Sequence, residues 1–295
     1  MSQIAEERAP VARRLTARPL RWQGPARRVL AHLVLLAGSV TMILPFLWMV
    51  STALKGDQAL LAFPPQFVPN PVLWQTFAEV FQVQPFALYL GNSFFYAVLA
   101  TLGQLATCSM AAYAFARLRF AGRDVLFTLL VASLMIPYQV TMIPVFIVMK
   151  YLGWIDSFAA LIVPNWAGGA FGTFLLRQFF LTIPSELMDA AKIDGSNYYG
   201  ILWRIYLPLA GPALATLGVF TFMWAWNDLL GPLIYLNSPD HYTVSIGLAF
   251  FQSRRYTVWG QMMAGALISL LPIIVLFLVA QKYFVQGIAT TGLRR

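Results

Sequence analysis

Six long apolar stretches constrain the fold of this chain more than any other feature. Each is about as long as the roughly 20 residues that a helix needs to cross a bilayer. Apolar residues make up 59% of the chain and charged residues only 11%, whereas a soluble domain carries about 25% charged residues. The sequence therefore predicts an all-α, polytopic membrane protein with six transmembrane helices, at Val29–Val50, Ser93–Phe115, Val125–Met149, Phe158–Leu176, Leu209–Trp226 and Gln261–Tyr283.

Lys and Arg residues are distributed unevenly between the two sides that six spans define. Sixteen fall on the side that carries both termini, and four fall on the other side. Because basic residues collect in cytoplasmic loops, both termini are expected in the cytoplasm. The net charge of +9 is then an orientation signal with membrane lipid as its partner, and no motif points to nucleic acid.

This topology divides the chain into five segments. The first apolar stretch is interpreted as a retained anchor, because no small-residue cleavage site follows it. The predicted segments are a basic cytoplasmic tail (1–28), the first transmembrane helix (29–50), a proline-rich external loop (51–91), a core of five transmembrane helices (92–284) and a cytoplasmic tail (285–295).

Proline and glycine interrupt the third, fourth and fifth spans, for example at Pro137 and Pro164. Irregular backbone inside a membrane is tolerated where it faces protein or a water-filled path, and small residues also let helices pack closely. Both roles remain open. The polar and aromatic side chains in or near the interruptions are candidates to line such a path and contact what passes through it, although each polar residue could instead satisfy the backbone of a neighbouring helix: Gln139, Asn165, Trp166, Trp224 and Asn227.

The chain shows no energy source of its own. It contains no Gly-Lys dipeptide and hence no Walker A loop. Its single Cys108 and its two distant histidines predict no metal site, and no cofactor is expected on this chain. The span interiors are nearly free of acidic residues, which argues against proton coupling. A transporter driven by a partner protein, an ion-coupled carrier and a membrane scaffold or receptor remain as classes of function.

One polar segment, residues 184–208, interrupts this apolar chain on the predicted cytoplasmic side, and we call it the elbow hairpin. Ser185 is a candidate N-cap, and Gly195 can end a first helix with a positive φ. Ser196 or Asn197 can cap a second helix, which carries an apolar stripe at helical spacing: Ile201, Leu202, Ile205 and Tyr206. The hairpin is either a solvated or interfacial segment, or a device that docks in a partner's groove.

The segment "IPSELMDAAKIDGSNYYGILWRIYLP" resembles the EAA loop of bacterial ABC importer permeases. The stretches "MIPYQVTMIPVFIVMKYLGWIDS" and "WNDLLGPLIYL" resemble the carbohydrate branch of that family, the maltose-type, type I importers that depend on a binding protein. The alanines and the glycine of the motif match Ala190, Ala191 and Gly195, whereas Asp189 replaces the motif's glutamate.

The resemblance implies a transporter of several subunits in the bacterial inner membrane, each with a separate task. A second permease subunit would share the path, two ATP-binding subunits would hold ATP and magnesium, and an extracytoplasmic solute-binding protein would deliver a sugar or sugar-like solute. Spans three to five would rock as a unit. The residues implied in coupling to the ATPase are Glu186, Asp189, Ala190, Ala191, Asp194 and Gly195.

Overall fold

The computed structural model describes residues 25–60, 62–252 and 257–292. The predicted tail before residue 25 lies outside these ranges, as do several of the arginines that set the predicted orientation: Arg8, Arg13, Arg14, Arg18, Arg21, Arg254, Arg255, Arg294 and Arg295.

The described ranges contain helices and no strand, which confirms the all-α prediction. The α-helices are α1 (Pro25–Ala53), α2 (Asp57–Leu60), α3 (Gln75–Val83), α4 (Phe86–Arg117), α5 (Arg123–Ala132), α6 (Tyr138–Tyr151), α7 (Ala159–Ile162), α8 (Ala170–Thr182), α9 (Ser185–Ile193), α10 (Tyr198–Ile201), α11 (Leu207–Leu209), α12 (Gly211–Asn227), α13 (Leu230–Tyr235), α14 (Val244–Ala249) and α15 (Trp259–Gly292). Short 3₁₀ segments and one π-helical segment, Leu202–Tyr206, join several of them.

Within the described ranges, four helical segments are long and apolar enough to cross a membrane: Arg27–Ala53, Phe86–Arg117, Ala159–Thr182 and Trp259–Lys282. Two further segments pass the same test only as bent pairs, α5 with α6 and the helices on either side of Ala210. The part of the chain that the structure describes therefore holds up to six spans, if each bent pair counts as one span.

The third predicted span is not one continuous helix. Its two halves, Arg123–Met135 and Tyr138–Tyr151, meet at an angle of 103°. The residue before a proline is pushed out of the helical region, and Ile136, which precedes Pro137, is extended at φ −84° and ψ 113°. The proline thus explains why an apolar stretch of sufficient length bends sharply in the middle.

The chain divides into two compact units at Trp48. Within the first unit, the described part of α1 exposes nearly all of its apolar side chains, such as Leu35 and Met42. A helix of this length with an apolar surface is suited to contact with lipid.

In the second unit, α4 packs against both α8 and α12. Small residues allow this packing, both here and where α4 meets the 3₁₀ segment Val163–Trp166. The ring of Trp166 fills the space beside Gly103, and a methyl group at Gly172 would lie 2.8 Å from Cys108 Sγ. Cys108 is fully buried, as expected of a packing residue. At these glycines the structure favours the packing role over a path-lining role.

A second set of contacts in this unit surrounds Asp156, which lies between α6 and α7. Its carboxylate accepts hydrogen bonds from the backbone amides of Asn237 and Ser238, both at 2.9 Å, from the Ser238 hydroxyl and from His241 Nδ1 at 3.2 Å. The Ser238 hydroxyl, followed by the two amides, holds the pKa of Asp156 well below its usual range. We call this arrangement the Asp156 clasp; it joins the loop after α6 to the loop after α13.

The contact between α4 and α8 gives a test of the packing. Gly172→Ala places a methyl group 2.8 Å from Cys108 Sγ and 3.0 Å from Leu217, and overpacking of this kind costs about 1–3 kcal/mol. We expect a lower thermal unfolding temperature in detergent, with part of the loss restored by Cys108→Ala in the double variant.

Gly91→Ala is the matched control, because a methyl group at this helical glycine meets no atom within 4 Å. Replacing a helical glycine by alanine stabilises a protein by about 0.4–1 kcal/mol where space allows. Equal effects of the two substitutions on the unfolding temperature would contradict the close contact.

Candidate functional site

The elbow hairpin begins with a nine-residue helix that ends in a glycine turn. Gly195 adopts φ +78°, as predicted. Its amide donates to the Lys192 carbonyl at 3.0 Å, and the Ser196 amide donates to the Ala191 carbonyl at 2.9 Å. This pair of bonds is the Schellman motif, in which a left-handed glycine closes a helix C-terminus.

The prediction for the second helix start is confirmed, whereas that for the first is wrong. Asn197 Oδ1 accepts a hydrogen bond from the Gly200 amide at 2.7 Å and so caps α10. Ser185 is already the first residue of α9, and Pro184 occupies the N-cap position without a side-chain bond. Proline presets the φ angle at this entry, so the helix starts one residue earlier than a serine cap would place it.

The inner face of the hairpin is buried against the membrane helices. Ile201, Leu202 and Tyr206 are at most 3% exposed, and Met188 and Ala191 are 8% exposed. They form one cluster with residues of α4, α8 and α12: Cys108, Ala112, Tyr113, Ala116, Leu176, Phe180, Ala213 and Leu217. Full burial of one large apolar side chain stabilises a structure by about 1.5–3 kcal/mol. This burial supports helices that would be marginal alone in water.

The outer face of the hairpin remains uncovered within the described chain. Ile193 is 87% exposed, Tyr199 71% and Trp203 63%. Five of the six residues implied in coupling lie on this exposed side: Glu186, Asp189, Ala190, Asp194 and Gly195. Ala191 instead faces the core, so its place in the motif is explained by packing.

The charges on this face are paired only loosely. Asp189 lies 3.8 Å from Lys192, one helical turn away, and Lys192 Nζ lies 5.6 Å from the centre of the Tyr198 ring. Exposed pairs of this kind contribute about 0–1 kcal/mol. The charged groups are therefore available to a partner at little cost.

Arg117 is a functional candidate that the sequence reasoning missed. It ends α4, and its guanidinium donates to the Phe180 carbonyl at 2.7 Å and to the Ile183 carbonyl. It also lies 5.5 Å from the centre of the Tyr206 ring. Arg117 thus joins α4, the end of α8 and the second half of the hairpin. In the sequence it counts only as one of the basic residues that orient the chain.

Three of the candidates for solute contact donate hydrogen bonds to backbone carbonyls. Asn165 Nδ2 donates to the Leu161 carbonyl, and Asn227 Nδ2 donates to the Met223 carbonyl, both at 2.7 Å and within their own helical segments. The Trp166 indole N–H donates to the Leu99 carbonyl at 2.9 Å. All three groups thus pair with backbone carbonyls, the two asparagines with their own segments rather than with the neighbouring helix that the alternative interpretation named.

The two remaining candidates, Gln139 and Trp224, have exposed side chains. Asp228, the acidic residue that follows α12, lies against α4 rather than in solvent. It accepts from the Tyr96 hydroxyl at 3.3 Å and from the Gly231 amide at 3.1 Å. The sequence placed Asp228 only at the end of a span and gave no indication of this contact.

Comparison with known proteins agrees with this architecture. The family model described as binding-protein-dependent transport system inner membrane component matches residues 105–290. The chain is 34% identical over 268 residues to the sn-glycerol-3-phosphate transport system permease protein UgpE of Yersinia pestis, covering 88% of this chain and 95% of that protein. It is 34% identical over 229 residues to the arabinooligosaccharides transport system permease protein AraQ of Halalkalibacterium halodurans, covering 77% and 82%.

Two solved structures share the fold. The crystal structure of a bacterial ABC transporter involved in the import of the acidic polysaccharide alginate aligns with a TM-score of 0.77 at 24% identity, over 88% of this chain and 98% of that chain. A bacterial alginate ABC transporter in complex with a pentasaccharide-bound periplasmic protein aligns with a TM-score of 0.62 at 18% identity, over 86% and 93%. The chain therefore belongs to the family of binding-protein-dependent transport system inner membrane components and is an ABC importer permease.

Proposed function

We propose that this permease moves a sugar or sugar-like solute inward by alternating access. ATPase subunits that bind the elbow hairpin drive this movement. The observation that carries the proposal is the two-sided hairpin. Its inner face is buried against α4, α8 and α12, and its outer face, with Asp189 and Gly195, is exposed. A surface element transmits displacement to membrane helices only if it is packed firmly against them.

The buried cluster suggests which helices move with the hairpin. Its members come from α4, α8, α12 and the hairpin, and none within the described chain comes from the bent span formed by α5 and α6. We therefore assign the moving body to α4, α8 and α12, in place of the third to fifth spans that the sequence suggested.

The names of the relatives support a hydroxyl-rich solute. The two curated relatives are named for a glycerol phosphate and for arabinooligosaccharides, and the solved structures concern alginate. Side chains such as Trp224 and Gln139, exposed in the single chain, would offer a ring face and an amide to such a solute. Their part in the path remains our proposal.

The proposed assembly has the composition implied by the family. A second permease subunit shares the path, two ATP-binding subunits bind ATP and magnesium, and an extracytoplasmic solute-binding protein delivers the solute. The ATPases bind on the cytoplasmic side of the membrane, the side on which both termini of this chain lie. The excess of basic residues on that side supports this orientation.

Gly195→Pro should uncouple ATP hydrolysis from uptake in the reconstituted complex. Proline cannot adopt φ +78° and has no amide to donate to Lys192, so the turn must distort at a cost of about 3 kcal/mol or more. We expect less solute transported per ATP hydrolysed, with membrane insertion intact. Gly195→Asn should retain more coupling, because asparagine tolerates left-handed backbone.

Gly153→Pro is the matched control for this experiment. Gly153 adopts φ +70° and donates to the Lys150 carbonyl at 3.1 Å, so proline causes the same backbone defect at the opposite predicted side. If both proline variants, or neither, lower the ratio of transported solute to hydrolysed ATP, the hairpin has no special role.

Arg117→Met should weaken transmission from the hairpin to α4. The substitution removes the donor for the Phe180 and Ile183 carbonyls, and hydrogen bonds to charged groups contribute about 1.5–3 kcal/mol each. We expect a lower unfolding temperature and less solute transported per ATP. Arg119→Met, at an exposed position two residues later, is the control, and equal behaviour of the two variants would refute the role of Arg117.

The orientation can be tested with an impermeant maleimide in a Cys108→Ala background. Ile193→Cys, on the exposed face of the hairpin, should be labelled in inside-out vesicles and protected in intact cells. Asp240→Cys, exposed in the loop after α13, should show the reverse pattern. Labelling of Ile193→Cys from outside intact cells would place the hairpin on the wrong side for any ATPase.

A further inference from the structure

The segment after α1 exposes an unusual amount of apolar surface. Residues 62–74, which we call the proline loop, read "AFPPQFVPNPVLW" and carry no charged residue. Phe63 is 95% exposed, Val68 77%, Trp74 71% and Phe67 69%. Large apolar patches on a protein surface mark sites of contact with another protein or with a membrane.

The backbone of the proline loop is fixed to the end of the first span. The Ser51 hydroxyl donates to the Phe67 carbonyl, and the Lys55 ammonium donates to the Gln66 carbonyl. The Leu73 amide donates to the Leu54 carbonyl at 3.0 Å. Ser51, Leu54 and Lys55 are themselves buried, so the loop folds over them and cannot extend far from the last turn of α1.

The start of the last span, α15, lies close to the residues that follow the first span. A methyl group at Gly260, in the first turn of α15, would lie 3.5 Å from the Lys55 carbonyl oxygen. Gln261 Nε2 donates to Glu79 Oε2 of α3 at 3.1 Å, and α3 directly follows the proline loop. Two membrane spans therefore end beside the loop, one at Ala53 and the other at Trp259.

We propose that the proline loop is an interfacial anchor whose exposed side chains insert among the lipid headgroups and upper acyl chains of the bilayer. We infer its depth from the two span ends, because a helix needs about 20 residues to cross a bilayer and the ends of such helices therefore lie near the membrane surface. Aromatic rings such as Trp74 favour this interface, and the absence of charge along 62–74 removes the main cost of insertion. The inference requires only that the chain spans a membrane, and it holds whatever solute is carried.

Site-directed spin labelling tests the anchor in the assembled transporter, in nanodiscs of phosphatidylethanolamine and phosphatidylglycerol. The chain has a single cysteine, the buried Cys108, so Cys108→Ala gives a clean background. Nitroxides are placed at Phe67→Cys and Val68→Cys, with Asp240→Cys as the exposed polar control. At residues 67 and 68, collisions with oxygen should outnumber collisions with a water-soluble nickel chelate, and at residue 240 the order should reverse.

Two outcomes would overturn the proposal. If collisions with the nickel chelate dominate at residues 67 and 68, the loop faces water. If both reagents are excluded there, another protein subunit covers the loop and lipid does not. Transport by the labelled complexes is recorded separately, so that a failed anchor and a failed transport function are distinguished.

A second variant tests whether the hydrogen bonds set the depth. Lys55→Met removes the donor to the Gln66 carbonyl and should increase the mobility of the nitroxide at residue 67 and its collisions with the nickel chelate. An unchanged spectrum and unchanged collision rates would show that the bond does not hold the loop at the interface. Should this variant not fold, the labels on the Lys55 background still decide between lipid, water and protein.

Discussion

Burial of the inner face of the elbow hairpin is the interaction on which the rest of the structure depends. Without Ile201, Leu202 and Tyr206 in the shared core, two short helices at a membrane surface would be marginally stable and free to move independently of the spans. With them, the hairpin, α4, α8 and α12 share one hydrophobic cluster. The bonds from Arg117 to the end of α8 add a directional, charged contact to this apolar one. A single packing arrangement thus gives the chain both a stable surface element and a connection to its membrane core.

The sequence predicted the features that are encoded locally. The left-handed turn at Gly195 and the cap at Asn197 depend on residues within five positions of each other, and glycine and asparagine are suited to those backbone roles. The number of spans followed from apolar length alone. The bend of the third span could be anticipated at Pro137. Its angle could not, because the angle depends on the residues against which the two halves pack, and a single sequence does not show which residues those are.

Contacts between distant parts of the chain could not be predicted in this way. Arg117 pairs with carbonyls 63 and 66 residues away, and Asp228 meets the hydroxyl of Tyr96, 132 residues away. Single-sequence patterns carry no signal for such pairs. The amides of Asn165 and Asn227 show a different limit: the sequence placed Asn165 in a predicted span and Asn227 one residue beyond another, but it could not decide between a bond to helix backbone and contact with a solute.

The Asp156 clasp has a thermodynamic consequence for any macromolecule that binds at its end of the transporter. Its carboxylate holds two loops together, with Asp156 itself at φ +61°, and each loop follows a different membrane-spanning segment. Ordering a flexible surface on association lowers affinity through lost conformational freedom. Because these loops are already joined before any encounter, a binding partner would meet a preorganised surface and would avoid that entropic cost.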